Sequence, residues 1–323
     1  MNADECFSGK NVSRPNFHGV NLSGENFSGA NLYEADLIGA NLSGANLSGA
    51  DLDGANLRGV DLSEAILKEA DLCGTDLSEA ILVGVNLFGA DLSGANLSGA
   101  NLHGANLSEA KLNEAGLDEA NLYEANLSEA NFYKANLCEA ILAGANLRGA
   151  NLNEADLSEA KLYEANLSEA NLCRANLNEA NLDEANLSEA ILIGANLRGA
   201  NLSQCSGLIS SAEYLKKHFV FCEKGVIVYK KFSMYYPTPV SWKIAPNEFI
   251  EENVNPDKTE LCASGVNFAT KQWFNVNGDA YNKNIPLWEC LIHWIDLADV
   301  VVPFNTDGKC RCARLQLIKT VGI

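Results

Sequence analysis

The chain has no run of about 18 apolar residues, so nothing in it reads as a membrane-spanning helix. Its opening, Met1 to Lys10, has neither the basic start nor the apolar stretch of a secretion signal. The two absences predict a cytoplasmic protein without a membrane role. Cations are scarce up to Leu202, with 10 Lys or Arg against 30 Asp or Glu, net -20. A surface so poor in cations offers little to phosphates, and direct nucleic-acid binding is not expected. Tryptophan is missing there too: all four lie after Leu202, where 13 basic residues face 12 acidic ones, net +1. Ten cysteines are scattered along the chain, from Cys6 through Cys73, Cys138 and Cys173 to Cys205, Cys222, Cys262, Cys290, Cys310 and Cys312. Without a secretion signal they are expected as free thiols. Cys310-x-Cys312 lacks zinc-ligand spacing and has no second close pair. No metal or cofactor is therefore expected; for zinc, Cys262, Cys290 and His293 would have to converge in space.

What is present in abundance is a repeat. Every fifth residue from Phe17 to Leu202 gives 38 positions, and all 38 are Leu or Phe. Two residues before each, 32 of the 38 are Ala, the exceptions being Pro15, Val20, Glu25, Val60, Thr75 and Val85. The residue between them is mostly Asn or Asp. A period of five suits neither a helix nor a straight strand, but it suits a strand broken at regular corners. Ala and Leu, two apart, point the same way, while the Asx between them and the residue after Leu point outward. From Leu to the next Ala is three residues, so the chain must turn, at Gly in Leu42-Ser43-Gly44 and at Glu in Leu127-Ser128-Glu129. Gly suits a bend, and Ala is small because several corners converge on a narrow interior.

Units such as Ala95-Asn96-Leu97-Ser98-Gly99 resemble the pentapeptide-repeat family. That resemblance implies a square right-handed β-helix with four pentapeptides per coil. At four units per coil, 38 units make about nine and a half coils and a rod of roughly 45 Å. The expected organisation is an N-terminal cap over 1–14, the solenoid over 15–202, a linker over 203–209 and a small α+β domain over 210–323. Caps are needed because an open end exposes the apolar stack and unpaired strand edges.

A twenty-residue coil stacks residues twenty apart. One edge then carries Glu119, Glu139, Glu159 and Glu179, which are the candidate interaction residues; another carries Glu114, Lys134, Glu154 and Arg174, alternating in sign as a solvated ladder. Like charges about 4.8 Å apart repel weakly in salt water, and duplication of near-identical units is the simpler origin of such a row. Some pentapeptide-repeat proteins resemble duplex DNA and bind type II topoisomerases in its place. Here net -20 over roughly 45 Å is one charge per about 2.3 Å, against about 1.7 Å for DNA. The rod contains no catalytic constellation: His18 and His103 read as isolated, and Tyr33, Tyr123, Tyr133 and Tyr163 as sporadic surface residues.

Beyond Ile209 the sequence turns globular. Ser210-x-x-Glu213 reads as a capping box for a short helix through Leu215 and Phe219. Strands are expected at Gly225 to Phe232, Val240 to Ile244, Val300 to Val302 and Lys309 to Ile318, the last with a bulge near Ala313. The segments Val228-Tyr229-Lys230, Cys262 to Thr270 and Asp307-Gly308-Lys309-x-Arg311 resemble an uncharacterised domain found after such repeats. Its signature commonly has His where this chain has Asn267. Cys310 and Cys312 read as core thiols, and Tyr229, Cys262 and Arg311 as the polar set an enzyme would use. The sequence thus reads as a non-enzymatic scaffold with a protein partner; the alternatives are a DNA-mimicking regulator and an enzyme in the last domain.

Overall fold

A computed structural model describes residues 14–208 and, beyond them, 211–232, 239, 242–251, 266–269, 274, 286–294, 296, 300, 309–312 and 314–321. The N-terminal cap expected over 1–14 lies, apart from Arg14, outside the described residues, as do Cys6, Cys262 and Ser210. The chain divides into two compact units, Met1–Leu208 and Ile209–Ile323.

The first unit is the β-solenoid. Its Asx positions pair in parallel with those twenty residues on, from Asn16↔Asp36 through to Asn186↔Ser206, so one coil is four pentapeptides. Each corner is a tight turn in which the Ala N–H donates to the preceding Leu carbonyl, as from Ala40 to Leu37 at 2.9 Å. The residue before that Ala has positive φ, 59° at Gly39 and 58° at Glu129, as at the third position of a type II turn. Between coils, the Leu N–H donates forward and the Asx N–H backward: Leu127 to Asn146 at 2.7 Å, and Asn126 to Ala105 at 2.9 Å.

Those bonds fix the inward stack. From Phe27 to Leu187 the Leu and Phe rows are at most 2% exposed, and Ala125 is 1% exposed. The Ala row leaves no room for a larger side chain, because close-packed interiors feel even one added methylene. Ala125→Leu should therefore cost about 1–3 kcal/mol in urea unfolding. Ser128→Ala removes one hydroxyl bond to Asn126 and should cost about 0.5–1 kcal/mol. Equal effects would contradict the inward placement of Ala125.

The segment expected as a linker stays in register for one more unit. Gln204 takes the corner at φ 53°, Ser206 pairs with Asn186, and Gly207 occupies the next Leu position. A Cβ there would lie 2.1 Å from the Ser188 nitrogen, which is why a side chain is missing where the phase calls for one.

The second unit has one described helix, α1 (Ser211–His218). Its seven described strands are β1 (Val220–Cys222), β2 (Gly225–Lys231), β3 (Phe249–Glu251), β4 (Val266–Ala269), β5 (Leu287–His293), β6 (Lys309–Cys312) and β7 (Arg314–Val321). They pair antiparallel in the order β3-β7-β5-β2-β4-β6, with β1 against β2. The sheet must curl. Cys312 and Arg314 can be at most about 7 Å apart, whereas four strand spacings in a flat sheet would separate β6 from β7 by about 19 Å. Its concave side holds Val226, Val228, Phe268, Cys290, Ile292, Leu315 and Leu317 in one core, with Leu215 of α1 and the following Phe219.

Three strand expectations change. Lys309 to Ile318 is not one bulged strand: through Cys312 the chain pairs with β4, and from Arg314 it pairs with β3 and β5, so the break in alternation falls where the chain changes neighbours. Trp242 to Ile244 form no strand; Trp242 instead donates its indole N–H to the Glu251 carbonyl at 3.0 Å. Val300 is buried but outside any strand, and Val301 and Val302 lie outside the described residues.

Candidate functional site

On the rod, function must come from the outward rows. The Asx residues have a local duty, because each side-chain oxygen accepts the N–H two residues on, as Asn41 does from Ser43 at 2.9 Å. This is an Asx turn, and it satisfies a donor that the corner would otherwise leave open. On one face the amides also join coil to coil. Asn106, Asn126, Asn146, Asn166 and Asn186 each donate to the Asn twenty residues earlier at 3.1–3.4 Å. Sequence reasoning saw these residues only as outward; the twenty-residue spacing was the signal that could have shown the ladder.

The corners carry the charge. All of Glu119, Glu139, Glu159 and Glu179 are exposed, stacked on one edge with φ of 58°, 58°, 59° and 59°. Among the described residues none of the four has an ion pair. Seventeen glutamates in all stand at positive-φ corners, against eighteen glycines. They are unevenly placed. From Gly19 to Gly104 the corners are fourteen Gly and four Glu; from Glu109 to Glu189 they are thirteen Glu, two Gly, Lys134 and Arg174.

The alternating edge forms part of the expected ladder: Glu154 pairs with Lys134 at 3.9 Å and with Arg174 at 3.4 Å. A separate row, Asp51, Asp71 and Asp91, ends at Lys111, which bonds Asp91 at 2.9 Å. Burial alone would push the Asp91 carboxyl up, but hydrogen bonds from Ser93 and Lys111 hold it at about 2. Burial, reinforced by Asp71 and Asp91, pushes the Cys73 thiol up to about 12. His103 is not isolated: its ring stacks on Tyr123 at 5.4 Å, with Nδ1 3.2 Å from the Tyr123 carbonyl oxygen.

In the second unit, the three segments singled out in the sequence become hydrogen-bonded neighbours, β2, β4 and β6. Tyr229 is opposite Ala269, and Asn267 is opposite Arg311. By strand alternation Tyr229, Asn267 and Arg311 share the convex face of the sheet. Burial raises the Tyr229 phenol, as does the hydrogen-bonded Glu289 beside it. Cys290 and His293, three apart on β5, point to opposite faces, with Cys290 buried in the core and His293 Nε2 2.9 Å from Gln316 Oε1. They do not converge on a metal. Among the described residues no group of three or more His, Cys, Asp or Glu could hold one. Burial pushes the Cys290 thiol up to about 12 and the Cys312 thiol up as well, which makes both poor nucleophiles.

Comparison with known proteins bears on the rod. Eight copies of a family model described as pentapeptide repeats match within residues 16–204. Among solved structures, the chain is 35% identical to HetL, a pentapeptide repeat protein involved in heterocyst differentiation regulation from the cyanobacterium Nostoc sp. strain PCC 7120. That match covers 65% of this chain and 100% of HetL, at a TM-score of 0.42. The chain is 49% identical to Rfr23 from the cyanobacterium Cyanothece 51142, over 26% of this chain and 58% of that one, at a TM-score of 0.26. With a trypsin-treated variant of QnrB1, a plasmid-mediated fluoroquinolone resistance protein, it shares 25% identity over 59% of this chain and 86% of that one, at a TM-score of 0.32. No match was found among curated proteins.

Proposed function

This chain belongs to the pentapeptide-repeat family, and on that premise we propose that it is a non-enzymatic structural or interaction protein. Its acidic rod engages a protein partner through the glutamate corners between Glu109 and Glu189, and carries a small C-terminal α+β domain. The rod works in the cytoplasm.

The observation that carries this reading is the backbone of those corners. An L-residue in the left-handed region costs about 1–2 kcal/mol, and glycine, which avoids that cost, stands at eighteen equivalent corners. Glutamate is kept at a cost in stability, and strain tolerated so often, in one half of the rod, points to selection for the charge itself. The test uses the full chain as bait. A partner captured from cell extract should then bind purified wild type, and should bind at least tenfold more weakly to a variant with Glu119, Glu139, Glu159 and Glu179 all changed to Gln. Unchanged affinity of every captured protein for that variant would refute the acidic edge as the binding surface.

A second reading rests on the net charge of the whole rod, -20 up to Leu202. One charge per about 2.3 Å approaches the charge spacing of duplex DNA, about 1.7 Å, which directs the search for a partner to DNA-binding proteins such as type II topoisomerases. At low salt the protein should then inhibit gyrase supercoiling, and the four-Gln variant should inhibit less. Supercoiling unaffected at high micromolar protein removes this reading and leaves the first intact.

A further inference from the structure

Two of the outward tyrosines share one column of the rod. The Gly104, Glu124 and Gly144 N–H groups donate to the carbonyls of Tyr123, Ala143 and Tyr163 at 2.9, 3.0 and 3.0 Å, so successive coils place His103, Tyr123, Ala143 and Tyr163 in line. The His103 and Tyr123 rings stack. Both tyrosines are 37% exposed, and Ala143 between them is fully buried although its position is an outward one. Ile141, in the same unit as Ala143, also stands at an outward position and is half-buried. The result is an apolar stripe about 10 Å long from Tyr123 to Tyr163. The fold does not require it: elsewhere the same column holds Ser23, Ser43, Ser63 and Ser203.

Acid flanks the stripe on both sides. The chain enters this face at Glu119, Glu139, Glu159 and Glu179 and leaves it at Glu124, Glu164 and Glu184, all exposed; among the described residues none of the seven has an ion pair. The Tyr123 hydroxyl bonds Glu124, which ties its ring to one rim. Lys161, exposed beside Tyr163, is the one cation on the face from Asn101 to Asp183.

A second copy of the rod, itself net -20 up to Leu202, would meet like charge on these rims, as would a nucleic acid. A cationic protein segment meets the opposite charge, and its guanidinium groups also stack on tyrosine rings. The spacing favours a helix. From Glu119 to Glu179 is three coil steps, about 14 Å, and helix positions i, i+3, i+7 and i+10 share one face over about 15 Å. Residues on one side of an extended strand recur only every 6.6 Å or about that. We propose that this face docks a cationic amphipathic helix of a protein partner, lying along the rod axis, its Lys or Arg groups on the glutamate rims and its apolar groups on Tyr123, Ile141 and Tyr163. The inference rests on the reading that the glutamate corners engage a protein, and adds the chemistry of that partner.

The test measures binding of the full chain to two fluorescein-labelled peptides of one composition. One is an amphipathic helix with arginines at i, i+3, i+7 and i+10 and leucines beside them; the other is a scramble whose arginines share no face. Wild type should bind the helix about tenfold more tightly than the scramble. Changing Tyr123 and Tyr163 together to Ser should weaken helix binding about tenfold and leave the scramble nearly unaffected. Those serines match Ser43 and Ser63 of the same column, so the rod keeps its fold. Ile141→Asn, matching Asn101 and Asn121, removes part of the stripe independently and should cost about threefold. Tyr133→Ser, on the opposite face, should change nothing. If the serine pair and Ile141→Asn bind the helix as wild type does while the four-Gln variant binds it more weakly, this inference falls and the acidic edge stands. A four-Gln variant with wild-type affinity overturns both. Equal binding of the two peptides, or binding of neither at high micromolar concentration, overturns the inference.

Discussion

Gly225→Ala should abolish folding of the C-terminal unit while leaving the solenoid intact. Gly225 opens β2 directly opposite His293 of β5, and a Cβ built on it would lie 1.9 Å from the Ile292 carbonyl oxygen and 2.8 Å from its carbon. The obstacle is backbone in the longest ladder among the described residues of the unit, where seven consecutive pairs join β2 to β5. A flexible side chain could swing aside; a hydrogen-bonded strand cannot. Relief would require β2 and β5 to separate at that end, where Val226 and Ile292, both 0% exposed, close the core. The cost should be about 3 kcal/mol or more, a large share of the stability of a domain this size. Tryptophan fluorescence should report an unfolded or early-melting second unit, while far-ultraviolet dichroism retains the solenoid signal. Wild-type melting of the tryptophan signal would mean that the two strands are not so closely opposed.

Much of the rod was legible because its constraint is local and repeated. Leu, small residue and Asx recur with one period, and burial follows that pattern from Phe27 to Leu187. The number of units per coil was not in the period; it came from the family likeness and is visible in the twenty-residue pairing. The purpose of the Asx position was missed because its bonds run to the backbone two residues on and to another coil, neither of which a face-by-face reading records. The left-handed corners were only half legible: Gly marked the bend, but nothing in Glu129 announces a φ of 58°. The second unit was read less well for a physical reason. Lys309 to Ile318 alternates except for one phase shift near its middle, which reads as a bulge; that its two halves pair with different neighbours is decided only by tertiary pairing. Tyr229, Asn267 and Arg311 share a face through pairing across 82 residues of sequence, from 229 to 311, which no local pattern announces.

Changing Glu119, Glu139, Glu159 and Glu179 together to Gly should stabilise the rod, although it removes four side chains. Each corner holds an L-residue at φ 58° or 59°, which costs about 1–2 kcal/mol relative to a residue free to enter that region. Against this, glycine adds unfolded-state entropy worth about 0.5–1 kcal/mol. The net gain is about 0.5–1 kcal/mol per corner and, for sites on successive coils, about 2–4 kcal/mol in all. Relief of repulsion along the edge acts in the same direction but is small for exposed, screened charges. The four-Gln variant separates the two effects: Gln keeps the left-handed strain and removes only the charge, so its stability should stay within about 1 kcal/mol of wild type. Partner binding, which needs the charge, should fall in both variants. Urea unfolding of the three proteins thus distinguishes strain from electrostatics. A four-Gly variant less stable than wild type would show that the glutamate stems contribute more by packing along the edge than their backbones cost, and the corners would then give no evidence of selection for charge.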